Sequence, residues 1–509
     1  MGAIDSSIVN VAVPHLRGSL GATVEEITWV STGFIVANVI VMPLTAFLGR
    51  FFGQKRVYLA ALMLFVFGSA LCGLATSLPL LVVFRVIQGL GAGALQPTEQ
   101  AILRQTFPPK EQGMAMALFG VAVVIGPAFG PTIGGYIVDN YTWPWIFYIN
   151  LPVGALAIFM VTTFVHEPED IRTTNLAMAE KQRKNLDYAG IALLTTGVAS
   201  LQFVLEEGEK RDWFDSQLIC ALTAVAVVAL AAFVIRELTA PVPAVNIALF
   251  RDKVFTSGTL IGSVMFAMLF SQTFLLPVFM QELLGFTAVQ SGIALMPRSL
   301  TMMLAMPIVG RFYNRISPRV TVAFGVILFS ISAWIMSHYT LATSARDVMG
   351  VLVIQGVAFA CLFIPLTTVA LANIERHRLA DATGLNSLLR QIGGSLGLAI
   401  FAQLIPRYGA EARGALQAHI SLLRPEAAAR VGAMQSGLAS TLSPDAAERA
   451  SHGILTGLVA RQASVLMFEK LFLLTGILFL VVLPLLWFLR SPDHEEKSPA
   501  KKIDVHVEV

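Results

Sequence analysis

The sequence predicts an all-α polytopic membrane protein with fourteen spans: two six-helix bundles and an inserted two-helix hairpin. Three observations carry this expectation. The 509 residues are 56% hydrophobic and only 13% charged, with a mean hydropathy of +0.72, a balance foreign to ordinary soluble domains. Apolar runs of about 20 residues, the length a spanning helix needs, recur with short polar breaks along nearly the whole chain. Finally, VIQG at 86–89 in the fourth run returns at 353–356 in the twelfth, and the same offset of 267 carries Gly126 onto Gly393 and Gly130 onto Gly397.

The runs fall at 1–16 (short), 28–48, 57–76, 80–103, 114–138, 147–165, 188–206, 217–236, 255–279, 289–310, 320–339, 347–371, 382–404 and 464–489. Matching residues in spans of equal rank mark a duplicated bundle. The repeat therefore assigns 1–165 to a first six-helix bundle and 255–489 to a second, the latter interrupted by an outer loop at 405–463. Residues 188–236 form the inserted pair, 166–187 and 237–254 are polar cytoplasmic linkers, and 490–509 is a cytoplasmic tail. The loop 405–463, rich in Ala with scattered Arg and Glu, reads as short surface helices, either a plain tether or a docking surface for a partner protein.

An even number of spans puts both termini on one side. With that side in the cytoplasm, 21 Lys and Arg fall in cytoplasmic segments against four in short outer loops (Arg17, Lys210, Arg211, Arg346). That contrast favours both ends inside. The three cysteines, Cys72, Cys220 and Cys361, all lie in spans, so neither a disulfide framework nor a metal site is expected. No Gly-Lys pair exists to build a phosphate loop, no HExxH zinc motif occurs, and GLGAG at 89–93 lies inside a span rather than after a strand. An ATP-driven pump or membrane enzyme has no support, and no nucleic-acid partner is expected.

Charges inside a bilayer cost on the order of 2.5 to 3.5 kcal/mol each at a helix centre, so each asks for a reason. Counting back from Pro14 and His15 at the outer end of span one, Asp5 lies about 15 Å deep, near the midplane. A desolvated carboxylate there is a candidate reversible proton site. Span four reads FRVIQGLGAGALQPTEQ: Arg85, Gly89 and Gly93 share one face, Gln96 returns close to it, and Arg85 needs an acidic or carbonyl partner, for which Asp5 is the natural candidate. Glu99, about 21 Å farther along, is either a second acid on the path or an interfacial ion-pair member. Span five, GVAVVIGPAFGPTIGGYIVDN, places Gly126, Gly130 and Gly134 four apart with prolines at 127 and 131. Such glycines make a groove for close helix packing, and Pro131 removes a helix hydrogen bond where bending is useful.

These motifs together resemble the major facilitator superfamily, and within it the fourteen-span drug:proton antiporters of the EmrB/QacA type, over nearly the whole chain. RVIQGLGAG resembles motif B, with its proton-transfer arginine at Arg85. IGPAFGPTIGG resembles the antiporter motif C of exporters, with Gly126, Pro127, Gly130, Pro131, Gly134 and Gly135 in place. IDSSIVNVAVP is similar to the span-one motif, with its acid at Asp5 and Asn10 and Pro14 also matching. WPWIFYINLPVG at 143–154 and GLNSLLRQIGGSLG at 384–397 are similar to further stretches of this branch. The resemblance implies a major facilitator fold and a multidrug exporter that exchanges amphiphilic or hydrophobic compounds for protons. The proton motive force would be its energy source, with no cofactor, and its place a bacterial inner membrane. Asp5, Arg85 and Glu99 would be the proton-coupling groups. In a Gram-negative source it also implies a periplasmic membrane-fusion adaptor and an outer-membrane channel as partners. A dedicated exporter of a metabolite, fatty acid or siderophore is the alternative; importers of the superfamily generally lack motif C.

One motif departs from the pattern. In AFLGRFFGQKR at 46–56, Ala46 replaces the first Gly of motif A, Arg50 stands where Asp is usual and Phe51 where Arg is; the counterpart GRFYNRISPR has Asn314 for Asp. The charge relay of motif A is therefore not expected in its usual form. Candidate cavity residues are Asn10, Gln88, Gln96, Gln272, Arg298, Asn386, Arg390, Gln391 and Glu469. Arg298 and Arg390 either contact substrate or pair between helices, and Glu469 either faces the cavity or sits with Lys470 at the interface where span fourteen begins. Phe34, Phe119, Phe266 and Phe270 either line the same cavity or, as is more usual for Phe in a span, face lipid or the core. Carried across at 267, Asp5 falls on Gln272, and the comparison of span one with span nine predicts that the natural protein starts upstream of Met1.

Overall fold

The computed structural model describes residues 1–489 apart from 109, 185–186, 241–242, 314 and 420–423, and leaves aside the side chains at 127, 170, 176–177, 180–184, 288 and 419. Asn314 and the tail 490–509 thus lie outside the described residues. Among the described residues there is no strand, and thirteen helices are long and apolar enough to cross a membrane.

The helices, in order, are α1 (Gly2–Leu20), α2 (Val24–Phe52), α3 (Gln54–Gly73), α4 (Leu78–Thr106), α5 (Gln112–Asn140), α6 (Trp145–Phe164), α7 (Tyr188–Glu207), α8 (Gln217–Thr239), α9 (Lys253–Glu282), α10 (Ala288–Phe312), α11 (Pro318–Met336), α12 (Ala345–Val369), α13 (Leu379–His419) and α14 (Pro444–Leu480). The first is not among the thirteen. Asp5, Asn10, His15 and Arg17 dilute its apolarity, and of these only Asp5 is buried in the protein. It runs past Pro14 to a left-handed Gly21 cap, so its end lies beyond the expected boundary at 16 and Arg17 sits in its last turn.

Where helices start at the membrane surface, side chains take up the free backbone N–H groups. Thr287 with Gln290 and Ser344 with Asp347 form reciprocal capping boxes at the starts of α10 and α12, and Asp252 caps α9. Each satisfies backbone donors that the first turn of a helix leaves without an intrahelical partner.

The two halves pack alike. α1 lies on α5, and α2 and α3 lie on α4; correspondingly α9 lies on α13, and α10 and α11 lie on α12. The glycines named by the repeat make these contacts. A methyl group at Gly126 would lie 2.6 Å from the Ala3 carbonyl carbon, and one at Gly130 2.6 Å from Ser7 Cβ; at Gly393 it would lie 2.5 Å from the Ser263 carbonyl oxygen, and at Gly397 2.6 Å from Ala267 Cα. Ser7 therefore corresponds to Ala267, an offset of 260 rather than 267 between α1 and α9. The loops between spans one and four absorb the seven residues, and the counterpart of Asp5 is Met265, not Gln272.

Of the inserted pair, α8 lies on the outside against α7, while α7 joins the two halves. α7 packs against both α2 and α13, and adjacent acids at its end reach to the two halves: Thr32 of α2 donates to Glu207 at 3.1 Å, and Ser395 of α13 donates to Glu206 at 3.1 Å. The 166–187 linker carries a helix, Glu169–Lys184, laid against the end of α2; this end of the molecule is called the linker face below.

At the opposite face the segment 405–463 is mostly a continuation of its flanking spans. α13 has 41 residues and α14 has 37, about 61 and 55 Å of helix, far more than the roughly 30 Å of a bilayer core. The two pack together into a stalk, and the short helix Pro425–Leu438 lies on it. Lys470 of α14 closes one turn of the stalk on Glu411 of α13 at 2.9 Å and sits over the Tyr408 ring.

Candidate functional site

The first half contains one polar knot, and Asp5 is at its centre. Five helices converge on it because α4 is stripped of side-chain bulk: Gly89 and Gly93 abut the backbone carbonyls of Phe34 and Asn38 in α2, and Gly91 abuts Phe65 of α3. That approach brings Arg85 and Gln88 of α4 against α1, α3 and α6. Arg85 Nη1 donates to Asp5 Oδ2 at 2.6 Å, while Gln88 Nε2 and Asn150 Nδ2 each donate to Asp5 Oδ1 at 2.8 Å. Ser69 Oγ accepts from both amides, at 2.6 and 3.1 Å. Arg85 is further held by the Val30 carbonyl at 3.0 Å, the Gln88 Oε1 at 2.7 Å and the face of Phe34, 4.1 Å from its guanidinium. Asp5 is 0% exposed and Arg85 1%.

A carboxylate with three donors and a guanidinium with an acid, an amide, a carbonyl and a ring leave no charge uncompensated. Buried pairs persist only when the surrounding hydrogen bonds are complete in this way. A proton added to Asp5 removes the charge that all three donors share, so its protonation state is felt at once by α4 and α6.

The glycine motif of α5 sets the position of this acid. Gly126, Gly130 and Gly134 receive Ala3 and Ile4, Ser7, and Ile8 of α1, the residues on either side of Asp5. Gly135 has open space on its outer side, α5 continues as helix through Pro131, and the Pro127 side chain lies outside the described residues.

The other expected residues separate. Glu99 is half-buried on the linker side of α4 and accepts from Tyr58 at 2.7 Å, away from Asp5. Asn10 is exposed, at 3.5 Å from Ser31. Gln96 and Gln391 are half-buried. Gln272 is fully buried and donates to Thr475 at 2.8 Å. Glu469 lies 25 residues into α14, half-buried beside the stalk, because the helix starts at Pro444 and not where the apolar run begins.

In the second half Arg298, Asn386 and Arg390 are 7%, 0% and 3% exposed. Arg298 donates to Thr273 at 3.1 Å through one nitrogen and leaves another without a partner. All three guanidinium nitrogens of Arg390 and both amide atoms of Asn386 lack a hydrogen-bond partner. Arg298 thus pairs between helices, with Thr273 of α9, whereas Arg390 has no such partner among the described residues.

Sequence reasoning missed three groups. Asn150 lay in view inside WPWIFYINLPVG, and Ser69 carried no signal beyond being polar in a span. The third is Asp381. Arg50, out of place in motif A, puts Nη1 at 2.6 and 2.8 Å from the two Asp381 carboxylate oxygens across the halves, and Nη2 at 3.2 Å from the Ala244 carbonyl. Further side-chain hydrogen bonds between the halves cluster at the same linker face, Arg104 to the Thr368 carbonyl at 2.8 Å and Arg376 to the Gln105 carbonyl at 2.5 Å.

The family model described as Major Facilitator Superfamily matches residues 1–398. The chain belongs to the major facilitator superfamily. Among superfamily relatives, the chain is 35% identical to the multidrug export protein EmrB of Escherichia coli (strain K12) over 497 residues, covering 97% of this chain and 93% of that protein. It is 33% identical to the fatty acid resistance protein FarB of Neisseria gonorrhoeae, covering 97% and 94%. Among solved structures, the human organic anion transporter MFSD10 (TETRAN) superposes with a TM-score of 0.61 at 14% identity over 95% of this chain and 96% of that one, which shows the shared fold. As a superfamily member with thirteen membrane-length helices, it is a multi-pass membrane protein.

Proposed function

We propose that this chain exports amphiphilic or hydrophobic compounds across a bacterial inner membrane in exchange for protons bound at Asp5. The observation that carries the reading is the completely buried, completely satisfied Asp5–Arg85 pair, seated on the antiporter glycine motif. The full-length relatives named for multidrug export support it. The linker face is the cytoplasmic side, where Lys and Arg concentrate.

In this reading the linker face is closed by Arg50–Asp381 and its neighbours. Protonation of Asp5 from outside releases Arg85, Gln88 and Asn150, frees α1 to shift in its glycine groove, and lets the halves rock about the midplane. Once the cytoplasmic side opens and the proton leaves, Asp5 takes up its hydrogen bonds with Arg85, Gln88 and Asn150 again. Glu99 with Tyr58, nearer the cytoplasm, is a relay for that release.

FarB supports a narrower second reading, export of fatty acids or a similar metabolite. For partners, the stalk of α13 and α14, with Ile454 and Leu458 exposed one turn apart, is the surface proposed to meet a periplasmic adaptor that leads to an outer-membrane channel. The deciding experiment reconstitutes the protein in vesicles with an imposed pH gradient and measures efflux of a fluorescent amphiphile. Asp5→Asn is expected to abolish gradient-driven efflux with the protein still folded; efflux at the wild-type rate refutes the assignment.

A further inference from the structure

Among the described residues of the second half, no acid pairs with the buried Arg390. Arg390 is one turn from Asn386 on the same face of α13, both deeply buried and both without hydrogen-bond partners. An arginine keeps its charge in any protein environment, and a buried cation without a counter-ion is strongly destabilising. What surrounds it is apolar: the guanidinium lies 5.6 Å from the Phe266 ring of α9 and 5.9 Å from the Phe363 ring of α12, and its Nε packs where Gly262 leaves room. Phe363 in turn stacks on Phe119 of α5 at 6.4 Å, so the group borders the seam between the two halves. Cation–ring contacts compensate part of the charge, but they use none of its N–H donors.

We propose that Arg390 and Asn386 bind the anionic head of an amphiphilic organic anion, a carboxylate or sulfate, whose apolar body lies along Phe266, Phe363 and Phe119. The fork of a guanidinium matches a carboxylate bidentately, and the Asn386 amide supplies a third donor. Arg298, with one free nitrogen, is held at Thr273, seven residues beyond Phe266 on α9 and about 10 Å nearer the stalk. It provides a second cationic station in the direction of export. This inference rests on the export reading above and names the charge class of its substrate.

The test uses the purified full-length protein in detergent, with tritiated decanoate as the probe in a scintillation proximity assay. Saturable decanoate binding is expected, displaced by decyl sulfate but not by decanol or decyltrimethylammonium at equal concentration. Arg390→Gln is expected to weaken it at least 10-fold, Arg390→Lys to restore part of it, and Asn386→Ala to weaken it about 3-fold. The wild-type displacement series decides even where a variant fails to fold. Absence of saturable binding, equal displacement by decanol, or unchanged affinity in folded Arg390→Gln overturns the proposal. If the protein drives proton-coupled efflux of a cationic dye yet binds no decanoate, this inference fails and the export reading stands. If decanoate binds as expected but no pH gradient drives any efflux, the export reading fails and the anion site stands.

Discussion

The two halves share one scaffold and put their charges in different places. In the first half, Asp5 on α1 and Arg85 on α4 form the polar knot, and α5 offers Phe119 and Val123. In the second half, the corresponding positions on α9 and α12 are Met265 and Leu352, 1% and 0% exposed, while α13 carries Asn386 and Arg390 where α5 has Phe119 and Val123. The glutamine of VIQG survives in both, with Gln88 donating to Ser69 at 2.6 Å and Gln355 to Ser332 at 3.4 Å. Duplication supplied the packing; the ion pair is a feature of one copy and the unpaired cation of the other. The proposed division of labour follows, with proton exchange in the first half and substrate charge recognition in the second.

The sharpest way to break this comparison is to rewrite the first half in the residues of the second. Asp5→Met leaves Arg85 buried and unpaired, which costs about 3–5 kcal/mol, and Arg85→Leu strands the acid at similar cost. The double variant Asp5→Met with Arg85→Leu removes both charges and is expected to melt at a higher temperature than either single variant. All three should lose gradient-driven efflux by more than 100-fold, since either no carboxylate remains to carry a proton or no guanidinium remains to pair with it. A double variant no more stable than the singles shows that the pair is not what organises the knot.

Next in size is the cross-half lock at the linker face. Arg50→Asp sets two carboxylates against each other, and Asp381→Arg two guanidiniums; each is expected to reduce transport about 10-fold by opening that face. The exchanged pair, Arg50→Asp with Asp381→Arg, is expected to recover to within about 3-fold of wild type, the signature of a coupled pair. Equal defects in single and double variants argue that the residues act separately.

Much of this is legible in the sequence. The Asp5–Arg85 pairing follows from depth and helical face, because two opposite charges in one apolar half have few other ways to be neutralised. The glycine motif was legible as a groove, though not that its occupant is the acid-bearing helix. The Arg50–Asp381 pair was not, because the partners are 331 residues apart and Arg50 read as a defect in a motif. The stalk was hidden because an Ala-rich, charge-sprinkled segment has helix propensity but no apolar run, and span boundaries drawn from hydropathy end where the bilayer does while the helix does not. The register of α1 against α9 failed for a related reason. Offsets read from one pair of helices do not survive loops of unequal length, and only the glycine contacts reveal the shift.

A smaller effect tests whether the groove of α5 serves the acid. Gly126→Ala and Gly393→Ala each place a methyl 2.5–2.6 Å from backbone of the facing helix, an overpacking expected to cost about 1–3 kcal/mol in either half. The two melting temperatures should fall alike. Only Gly126→Ala displaces the residues flanking Asp5, so it alone should shift the pH dependence of efflux. A matching shift in Gly393→Ala would mean that proton coupling is not confined to the first half.

The finest comparison is between the two glutamines of the repeat. Gln88 exchanges hydrogen bonds with Asp5, Arg85 and Ser69, so Gln88→Ala strips one donor from a buried carboxylate and one acceptor from a buried guanidinium. Hydrogen bonds to charged groups contribute about 1.5–3 kcal/mol each, and the loss should appear both as lower stability and as slower proton-coupled transport. Gln355 has one long bond to Ser332, and its own carbonyl oxygen is already without a partner. Gln355→Ala removes a buried amide that is only half satisfied, and the expected change in stability is below about 1 kcal/mol, of either sign. Paired thermal melts of the two variants read the difference directly. If Gln355→Ala proved as damaging as Gln88→Ala, the second half would hold a polar centre of its own, and the asymmetry of charge between the halves would not be an asymmetry of function.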